Sequence, residues 1–237
     1  MALVAKSVIA ELNRIGSYER SIHSQRFFKT GPGQYGEGDV FIGGTVPEQR
    51  VIAQKYSMLS LSEVEKLLNS KIHEHRFTGL IILVHNYEKS KDDKSRLDIY
   101  NFYLSHVKSI NNWDLVDVTA PNIVGNYLVD NKKKRDVLYK LVTSSNIWER
   151  RIAIISTLSL IRNKEFDDTL ALSEILLSDK HDLMHKATGW MLREVGKRDE
   201  KVLRKFLDKH IRNLPRTTLR YAIERFDEKT RKEYLKK

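Results

Sequence analysis

Apolar residues recur along most of this chain at intervals of three and four positions, which is the period of one face of an α-helix. Two clear examples lie in the first third of the sequence, from Leu3 to Leu12 and from Leu61 to Ile72. Ser60 and Glu63, with an overlapping pair two residues later, fit a capping box at the start of the second stretch. The pattern therefore predicts amphipathic helices at both places.

Four further apolar segments begin about 36 residues apart, close to the repeat length of proteins built from stacked helix pairs. The similarity between repeats is weak, although Arg151-Ile152-Ala153 and His185-Lys186-Ala187 are alike. We predict an all-α fold, an α-solenoid of stacked antiparallel helix pairs of the HEAT-like or ARM-like type, in a single domain over residues 1-237. The segments lie near residues 76–84, 112–125, 148–160 and 184–195.

Residues 30–46 interrupt this pattern, since residues 30–45 hold six of the eleven glycines and glycine is unfavourable in a helix interior. Gly31 to Gly36 matches GxGxxG, the fingerprint of a dinucleotide or kinase phosphate loop. We reject that match because a helical pattern precedes it where a strand is required, and no helix opens directly after it. The segment predicts an ordered loop or a short hairpin through Val40-Phe41-Ile42. It serves either as a connector or as a source of backbone N–H groups for a phosphate.

The formal net charge is +11, and the surplus is concentrated in two places. Fifteen Lys or Arg and seven Asp or Glu lie between Lys197 and Lys237. A second basic cluster, Lys132-Lys133-Lys134-Arg135, lies near the middle of the chain. Such clusters are found on surfaces that bind phosphate backbones and also on solvated helical faces. The presence of two favours a nucleic acid as partner.

The residues that several kinds of catalysis and metal binding require are missing from this sequence. The chain has no cysteine, so it has no disulfide framework and no cysteine nucleophile or metal ligand. It also lacks an HExxH zinc motif, a G-x-S-x-G elbow and the GK[ST] ending of a Walker loop. His73-Glu74-His75 has a spacing that suits a strand better than the helix predicted there. We therefore expect no metal and no cofactor, which leaves carboxylate chemistry or binding alone.

The chain also lacks the marks of a membrane or secreted protein. No apolar run approaches the roughly 20 residues that span a bilayer. The N-terminal residues do not resemble a signal peptide, because polar and charged residues interrupt them early. We expect a soluble cytoplasmic protein with no membrane contact.

The stretch Trp113-Asp114-Leu115-Val116-Asp117 is the strongest candidate for a site. Trp113 and Asp117 are four positions apart, so on a helix they share one face. An aromatic ring beside a carboxylate is suited to a cationic ligand. Each of the three tryptophans, which include Trp148 and Trp190, is by itself more typical of a core. An ion pair with a neighbouring Lys or Arg explains Asp117 equally well.

Six short segments, taken in order, carry a family resemblance that no one of them carries alone. They are Arg26-Phe27-Phe28-Lys29, Tyr35-Gly36-Glu37-Gly38-Asp39, Val46-Pro47-Glu48-Gln49-Arg50, Trp113-Asp114-Leu115-Val116-Asp117, Asn146-Ile147-Trp148-Glu149-Arg150-Arg151 and Lys186-Ala187-Thr188-Gly189-Trp190-Met191-Leu192-Arg193-Glu194. Together they resemble the bacterial DNA alkylation repair enzymes of the AlkD type, the HEAT-like alkylpurine DNA glycosylases. The resemblance extends from about residue 7 to residue 226.

The resemblance implies a set of site residues. Trp113, Asp117 and Trp190 would line the catalytic cleft, and Arg151 would lie beside it and contact the DNA backbone. Some relatives have a tyrosine where this chain has Phe27, so the hydroxyl that would position water or DNA is missing here. The other residues expected to bind DNA are Arg150, Lys186, Arg193, Lys29, Tyr35 and Phe27.

The implied activity is hydrolysis of the N-glycosidic bond of positively charged N3- and N7-alkylated purines in double-stranded DNA, by a monofunctional glycosylase. Alkylation weakens the bond between base and sugar, so the leaving group needs no general acid. Asp117 would stabilise the positive charge that moves onto the sugar and would orient the attacking water. Trp113 and Trp190 would contact the cationic nucleotide.

Two other functions remain open at this point. One is a non-catalytic HEAT-repeat protein that binds damaged or branched DNA, and the other is an adaptor for an acidic protein partner. The presence of both tryptophans and the aspartate favours the enzyme. The resemblance places the protein in the bacterial cytosol or nucleoid, and we expect a monomer because a solenoid that wraps DNA can act alone.

Overall fold

Helices make up the fold. The computed structural model describes residues 4–236, and within them it contains no β-strand, only one isolated bridge between Val40 and Ile72. No helix in this part of the chain is long and apolar enough to cross a membrane. The predicted all-α class is confirmed. Leu3, at the start of the predicted N-terminal helix, lies outside the described residues.

The chain divides into two compact units, Met1–Ile123 and Val124–Lys237, and a single domain over residues 1-237 stays a prediction. The first unit holds α1 (Ala5–Ile15), α2 (Tyr18–Phe27), α3 (Val46–Lys55), α4 (Leu61–Leu68), α5 (His73–Lys89), α6 (Asp93–Ser105) and α7 (Trp113–Asp117). The second unit holds α8 (Asn126–Asp130), α9 (Asp136–Val142), α10 (Ile147–Arg162), α11 (Asp167–Ile175), α12 (Asp182–Gly196), α13 (Glu200–His210), α14 (Arg216–Ala222) and α15 (Glu228–Lys236). Short 3-10 helices lie at Val107–Ser109, Lys132–Lys134 and Leu176–Ser178, and a π-helix at Pro121–Gly125.

Helix α5 lies at the centre of the first unit. Helices α1, α3, α4, α6 and α7 pack against it, and every residue from His73 to Val84 is buried. A mostly apolar helix is covered on all sides when neighbours surround it, which explains why this segment shows little amphipathic period. The polar residues at its N-terminal end, His73, Glu74 and Arg76, are buried with it and must find partners there.

Helix α10 has the same position in the second unit. Helices α8, α9, α11 and α12 pack against it, and its residues from Arg151 to Ile161 are buried. Of the four predicted apolar segments, three lie within single helices, namely α5, α10 and α12. The segment at 112–125 does not, because α7 ends at Asp117 and a π-helix follows at Pro121–Gly125.

The helix predicted from Leu61 to Ile72 is shorter than its pattern indicates. Helix α4 ends at Leu68, and Ile72 is already the residue before α5. Ser60 does precede α4, but the predicted capping box is wrong, since the Ser60 side chain makes no cap hydrogen bond. The carboxylate of Glu63 instead accepts from the backbone N–H of Ala5 at 2.7 Å. The Glu63 carboxylate therefore binds the backbone of α1 instead of capping the N-terminus of its own helix, α4.

The capping box that does form lies at the start of α3. The side-chain carboxylate of Glu48 accepts from the backbone N–H of Thr45 at 2.9 Å and from its hydroxyl at 2.6 Å. Pro47 follows within the first turn, where a missing N–H costs nothing. This cap ends the glycine-rich segment at a defined residue.

The glycine-rich segment is an ordered loop of successive turns, as predicted, but the hairpin through Val40 is wrong. The backbone carbonyl of Val40 accepts from the N–H of His73 at 2.8 Å, so its partner lies at the start of α5. The loop turns back at Gly43, which has a φ of +81° and where a Cβ atom would overlap the carbonyl oxygen of Ser17. Helices α2 and α3 flank the loop, which confirms that the GxGxxG match lacks its strand and helix.

Gly189 decides how closely α12 and α14 approach in the second unit. A Cβ atom at this position would lie 2.7 Å from the carbonyl oxygen of Thr218 and 2.5 Å from the Cβ of Tyr221. The hydroxyl of Thr218 also donates to the carbonyl of His185 at 3.1 Å, which ties the two helices together. The close approach therefore depends on glycine.

We expect Gly189→Ala to lower the free energy of unfolding by about 1–3 kcal/mol, because an added methyl group in a close-packed contact forces the helices apart. Chemical denaturation measures the change. Gly31→Ala is the matched control, since the nearest atom to its added Cβ is the end of the flexible Gln34 side chain. Equal stability of the two variants would show that α12 and α14 do not require the glycine.

Candidate functional site

Helix α7 brings Trp113 and Asp117 onto one short element, as their spacing predicts. Trp113 is its first residue and Asp117 its last. The side-chain oxygen of Asn112 accepts from the backbone N–H of Trp113 at 2.9 Å and so caps the helix. Leu115 and Val116 are fully buried and anchor it, whereas Trp113 and Asp117 are half-buried.

Two phenylalanine rings contact Trp113, and a third stacks on one of them. The ring of Phe28 stacks on Trp113 with centroids 5.4 Å apart, and Phe27 meets Trp113 edge-on at 5.9 Å. Phe41 stacks on Phe28 at 5.0 Å. Phe27 is 57% exposed, so an apolar ring stands at the surface. The aromatic stack holds the indole in a fixed orientation.

A buried histidine holds the N-terminal end of α7 in place. His73 lies between two carboxylates, with Nδ1 at 3.1 Å from Asp39 and Nε2 at 2.9 Å from Asp114. Asp39 lies in the glycine-rich loop and Asp114 follows Trp113. Since both ring nitrogens face carboxylate oxygens, both carry protons and donate. The histidine therefore joins the loop, α5 and α7.

Burial and the neighbouring charges have opposite effects on the pKa of His73, and the charges have the larger effect. Burial alone would lower the pKa of His73, but the charges of Asp114 and Asp39 and the hydrogen bonds to them raise the pKa to about 9. Burial would likewise raise the pKa of Asp39, but the hydrogen bond from His73 and the charge of Arg76 hold it below its usual value. The histidine is thus a cation at neutral pH.

Polar groups complete the network around Asp39. Arg76 donates to one carboxylate oxygen at 2.6 Å, and Asn111 donates to the same oxygen at 2.9 Å. Asn112 donates to the other oxygen at 3.3 Å. A buried carboxylate needs this number of donors to offset its lost hydration. The segment that leads into α7 is therefore fixed by a polar network for which no sequence pattern gives a signal.

Asp117 lies close enough to Tyr103 to affect its hydroxyl. Burial, opposed by a hydrogen bond to Thr119 and reinforced by the charge of Asp117, raises the pKa of Tyr103. The hydroxyl groups of Tyr103 and Thr119 are 2.9 Å apart. Asp117 is itself half-buried and lies beside the buried Tyr103.

The loop residues expected to bind DNA lie at the end of α2. Lys29 has a φ of +53° and extends its ammonium over the ring of Tyr35, 6.0 Å from the centroid. The hydroxyl of Tyr35 donates to the carbonyl of Phe27 at 3.4 Å. Lys29 and Phe27 are exposed. These residues belong to the same unit as Trp113 and share its aromatic neighbourhood.

The third predicted cleft residue, Trp190, lies in α12 of the second unit and is half-buried. Gly189 precedes it and faces α14. Since successive helical residues are rotated by about 100°, the glycine contact directs the next side chain away from α14.

Lys186 pairs with Asp182 at 2.7 Å, and Arg193 pairs with Glu224.

Two arginines expected to contact DNA have partners within the second unit. Arg150 donates to Asp179 at 2.7 Å and to the carbonyl of Ser144 at 2.9 Å. Arg151 is only 5% exposed and donates to the carbonyl of Leu183 at 2.7 Å. These contacts fix the start of α12 relative to α10, a structural role that no sequence pattern indicates.

Both basic clusters are partly neutralised by ion pairs. In the cluster Lys132-Lys133-Lys134-Arg135, Arg135 pairs with Glu165 and Asp168, both at 2.9 Å. In the C-terminal cluster, several residues are exposed and have no acidic partner within ion-pair distance in the described part of the chain. They are Lys201, Lys205, Arg212, Arg220 and Arg231.

The histidines of His73-Glu74-His75 do not share a ligand. His73 bonds to two aspartates, whereas His75 Nδ1 lies 2.9 Å from the hydroxyl of Ser70. Glu74 accepts from the backbone N–H groups of Ile42 and Gly43, at 3.1 and 2.7 Å. Within residues 4–236 no group of three or more acidic or histidine side chains is arranged to hold a metal ion.

Comparison with known proteins gives a family and a fold. A family model described as DNA alkylation repair enzyme matches residues 8–226. A solved structure described as a predicted DNA alkylation repair enzyme from Enterococcus faecalis is similar over 90% of this chain and 97% of that chain, with a TM-score of 0.71 and 15% sequence identity. At that identity the likeness concerns the fold. A search of curated proteins found no match.

The buried histidine predicts a pH dependence of stability. Because the folded protein raises the pKa of His73 from about 6.5 to about 9, its stabilising contribution is complete below pH 6.5 and is lost as the pH rises towards 9. The loss is on the order of 3 kcal/mol. Denaturation curves of wild type between pH 6.5 and 9 measure it.

His73→Gln is expected to lower stability at pH 6.5 and to flatten this slope, because the substituted side chain carries no titrating charge. His23→Gln, at an exposed histidine of the same unit, is the control for loss of a histidine. A wild-type slope retained in His73→Gln would mean that another group titrates.

Proposed function

Because the chain belongs to the family of DNA alkylation repair enzymes, we propose that it is a DNA glycosylase acting on positively charged N3- and N7-alkylated purines. The observation that carries this proposal is the pairing of Trp113 and Asp117 on α7, a helix whose N-terminal end is held by the His73 network. A carboxylate held in a fixed position suits a reaction in which the charge that it stabilises appears only in the transition state.

The reaction needs one well-placed carboxylate rather than an acid–base pair. When the bond between C1′ and the base nitrogen breaks, its electron pair neutralises the alkylated base, which leaves without receiving a proton. Positive charge then develops on the sugar, and the Asp117 carboxylate stabilises it. Water adds to C1′ and gives up a proton to solvent or to the carboxylate. The half-buried setting of Asp117 strengthens this attraction relative to water.

The aromatic faces of two tryptophans supply the second contribution to catalysis. We propose that Trp113 and Trp190 contact the cationic nucleotide, each for about 0.5–2 kcal/mol depending on desolvation. Since about 1.4 kcal/mol is tenfold in rate, two such contacts and a carboxylate suffice for a bond that alkylation has already weakened. A neutral base, with its stronger bond, is left intact.

Phosphate contacts would hold the DNA without reading its sequence. Exposed Lys29, the half-buried Lys186 and the exposed C-terminal cations suit this role because their ammonium and guanidinium groups reach solvent. Arg151 is buried and Arg150 half-buried, and both already donate to groups of their own unit. We propose that they act chiefly by fixing α12, which carries Lys186 and Trp190.

The first test is base release from DNA containing N7-methylguanine. We expect Asp117→Asn to slow release by roughly 10²–10³-fold, the usual loss when one preorganised electrostatic group is removed, with little change in DNA affinity. Asp93→Asn, at an exposed aspartate at the start of α6, serves as the matched control and should retain wild-type release.

Three outcomes separate the proposal from its alternative. Unchanged release in Asp117→Asn would remove the carboxylate mechanism. Efficient release of uracil or hypoxanthine would remove the selectivity for cationic bases. Tight binding to damaged or branched DNA without any abasic product would establish the non-catalytic binder instead.

The second test is the salt dependence of binding to undamaged duplex DNA. Because neutralised phosphates release counterions, the logarithm of affinity should fall by about 0.9 per phosphate contact for each tenfold rise in salt. Replacing two exposed cations, Lys201→Ala and Lys205→Ala together, should reduce that slope by about two if both contact phosphate. An unchanged slope would exclude α13 from the binding surface.

A further inference from the structure

Helix α7 is too short to be stable by itself. It has five residues, and a helix of that length forms in water only when its neighbours fix it. The His73 network holds its first turn, where Trp113 and Asp114 lie. Asp117 is its last residue, so the direction of the Asp117 carboxylate depends also on how the C-terminal end is held.

The backbone N–H that would bond to Leu115 in a longer helix is used elsewhere. Thr119, four positions after Leu115, donates its N–H to the carbonyl of Val116 at 3.1 Å. Pro121 carries no N–H, so it cannot continue the helix by bonding to the carbonyl of Asp117. The last carbonyl groups of a helix need other donors. Leu115 is fully buried, so that donor has to come from the protein.

The side chain of Thr119 supplies the donor. Its hydroxyl donates to the carbonyl of Leu115 at 2.5 Å, a bond that threonine can make to the carbonyl four positions before it. Thr119 is itself fully buried, and the hydroxyl of Tyr103, on α6, lies 2.9 Å from its oxygen. The end of α7 is therefore bonded both to itself and to a neighbouring helix.

The three groups form a hydrogen-bond chain with one direction. Because Thr119 gives its proton to a carbonyl, which can only accept, its oxygen accepts from the phenol O–H of Tyr103. Burial raises the pKa of Tyr103, the hydrogen bond to Thr119 opposes this rise, and the charge of Asp117 adds to it. The phenol therefore keeps its proton and remains the donor. The chain runs from Tyr103 through Thr119 to Leu115.

We propose that Thr119 and Tyr103 are positioning residues for Asp117, which fix the C-terminal end of α7 and so the place of the carboxylate. Both are fully buried, so they act through the backbone of α7 and do not touch DNA. A displacement of about 1 Å at a reacting group can cost roughly 100-fold in rate, which makes a loose helix end costly. The catalytic part of this inference rests on the proposed function, whereas the fixing of α7 rests on the contacts alone.

The alternative is a pair of buried hydroxyl groups that serves stability only. The two roles differ in what a substitution changes. A loss of stability lowers the fraction of folded protein, whereas a loss of position lowers the rate of base release by each folded molecule. Single-turnover release, with enzyme in excess and at a temperature at which every variant is folded, separates the two.

Substitutions of Thr119 give the first test. Thr119→Val keeps the shape and removes both hydrogen bonds, and we expect it to slow release of N7-methylguanine about tenfold with unchanged affinity for the DNA. Thr119→Ser keeps the hydroxyl and should restore most of the rate. A wild-type rate in Thr119→Val, or a rate in Thr119→Ser as low as in Thr119→Val, would overturn the inference.

Thr157→Val is the matched control for the loss of a buried hydroxyl. Thr157 is fully buried on α10, and its hydroxyl donates to the carbonyl of Ile154 at 2.7 Å. This variant loses an equivalent bond away from α7 and should release the base at the wild-type rate. Slowing equal to that of Thr119→Val would show a general effect of lost stability and would refute the positioning role.

Tyr103→Phe tests the other end of the chain and leaves the carbonyl of Leu115 bonded. It should slow release less than Thr119→Val does, and the double variant should be no slower than Thr119→Val alone, because members of one network are not additive. Effects that multiply in the double variant would refute the chain. Should Thr119→Val fail to fold, Tyr103→Phe decides, and a wild-type rate in it overturns the inference. Tyr139→Phe, whose hydroxyl donates to Asp168 at 2.9 Å, is the control.

Hydrogen exchange of the full-length protein without DNA tests the fixing of α7 independently of any reaction. The amides of residues 118–120 should exchange about tenfold faster in Thr119→Val than in wild type, relative to the amides of α5, because the helix end opens more easily. Unchanged exchange would overturn the inference whether or not the protein releases a base. A wild type that releases no alkylated base would instead refute the proposed function and the catalytic part, while the exchange rates still decide whether the chain fixes α7.

Discussion

A protonated histidine buried between two carboxylates organises the first unit. His73 on α5 donates to Asp39 in the glycine-rich loop and to Asp114 on α7. Each of these charges would be costly to bury alone, by several kcal/mol after relaxation. Removing one member leaves the others uncompensated, so the three segments are fixed together or not at all. The indole of Trp113 and the carboxylate of Asp117 owe their positions to this constraint.

The residue after the histidine extends the same constraint to the other side of the loop. Glu74 accepts from the backbone of Ile42 and Gly43, which sets Phe41 against Phe28 and Phe28 against Trp113. One end of one buried helix thus shapes the aromatic face proposed for the substrate. Polar burial and aromatic stacking are parts of a single arrangement, and a change in either is expected to alter both.

Much of the fold was predictable because it depends on neighbours in sequence. The apolar periods indicated α5, α10 and α12, and the spacing of Trp113 and Asp117 indicated one helix. The errors arose where a remote partner competes with a local one. Ala5 takes the carboxylate of Glu63 that a capping box would have used, and Val40 pairs with the start of α5 instead of forming a hairpin.

The sequence by itself determined the helical class, the basic charge and the shared helix of Trp113 and Asp117, because these follow from short-range geometry and composition. The family resemblance came from six short segments taken in order. Only the tertiary structure decided which polar residues are buried and with whom. The partners of His73 lie 34 and 41 positions away, and no local period encodes such a pairing. It is selected by the packing of α5, which desolvates the histidine and leaves two carboxylates as the means of keeping it charged.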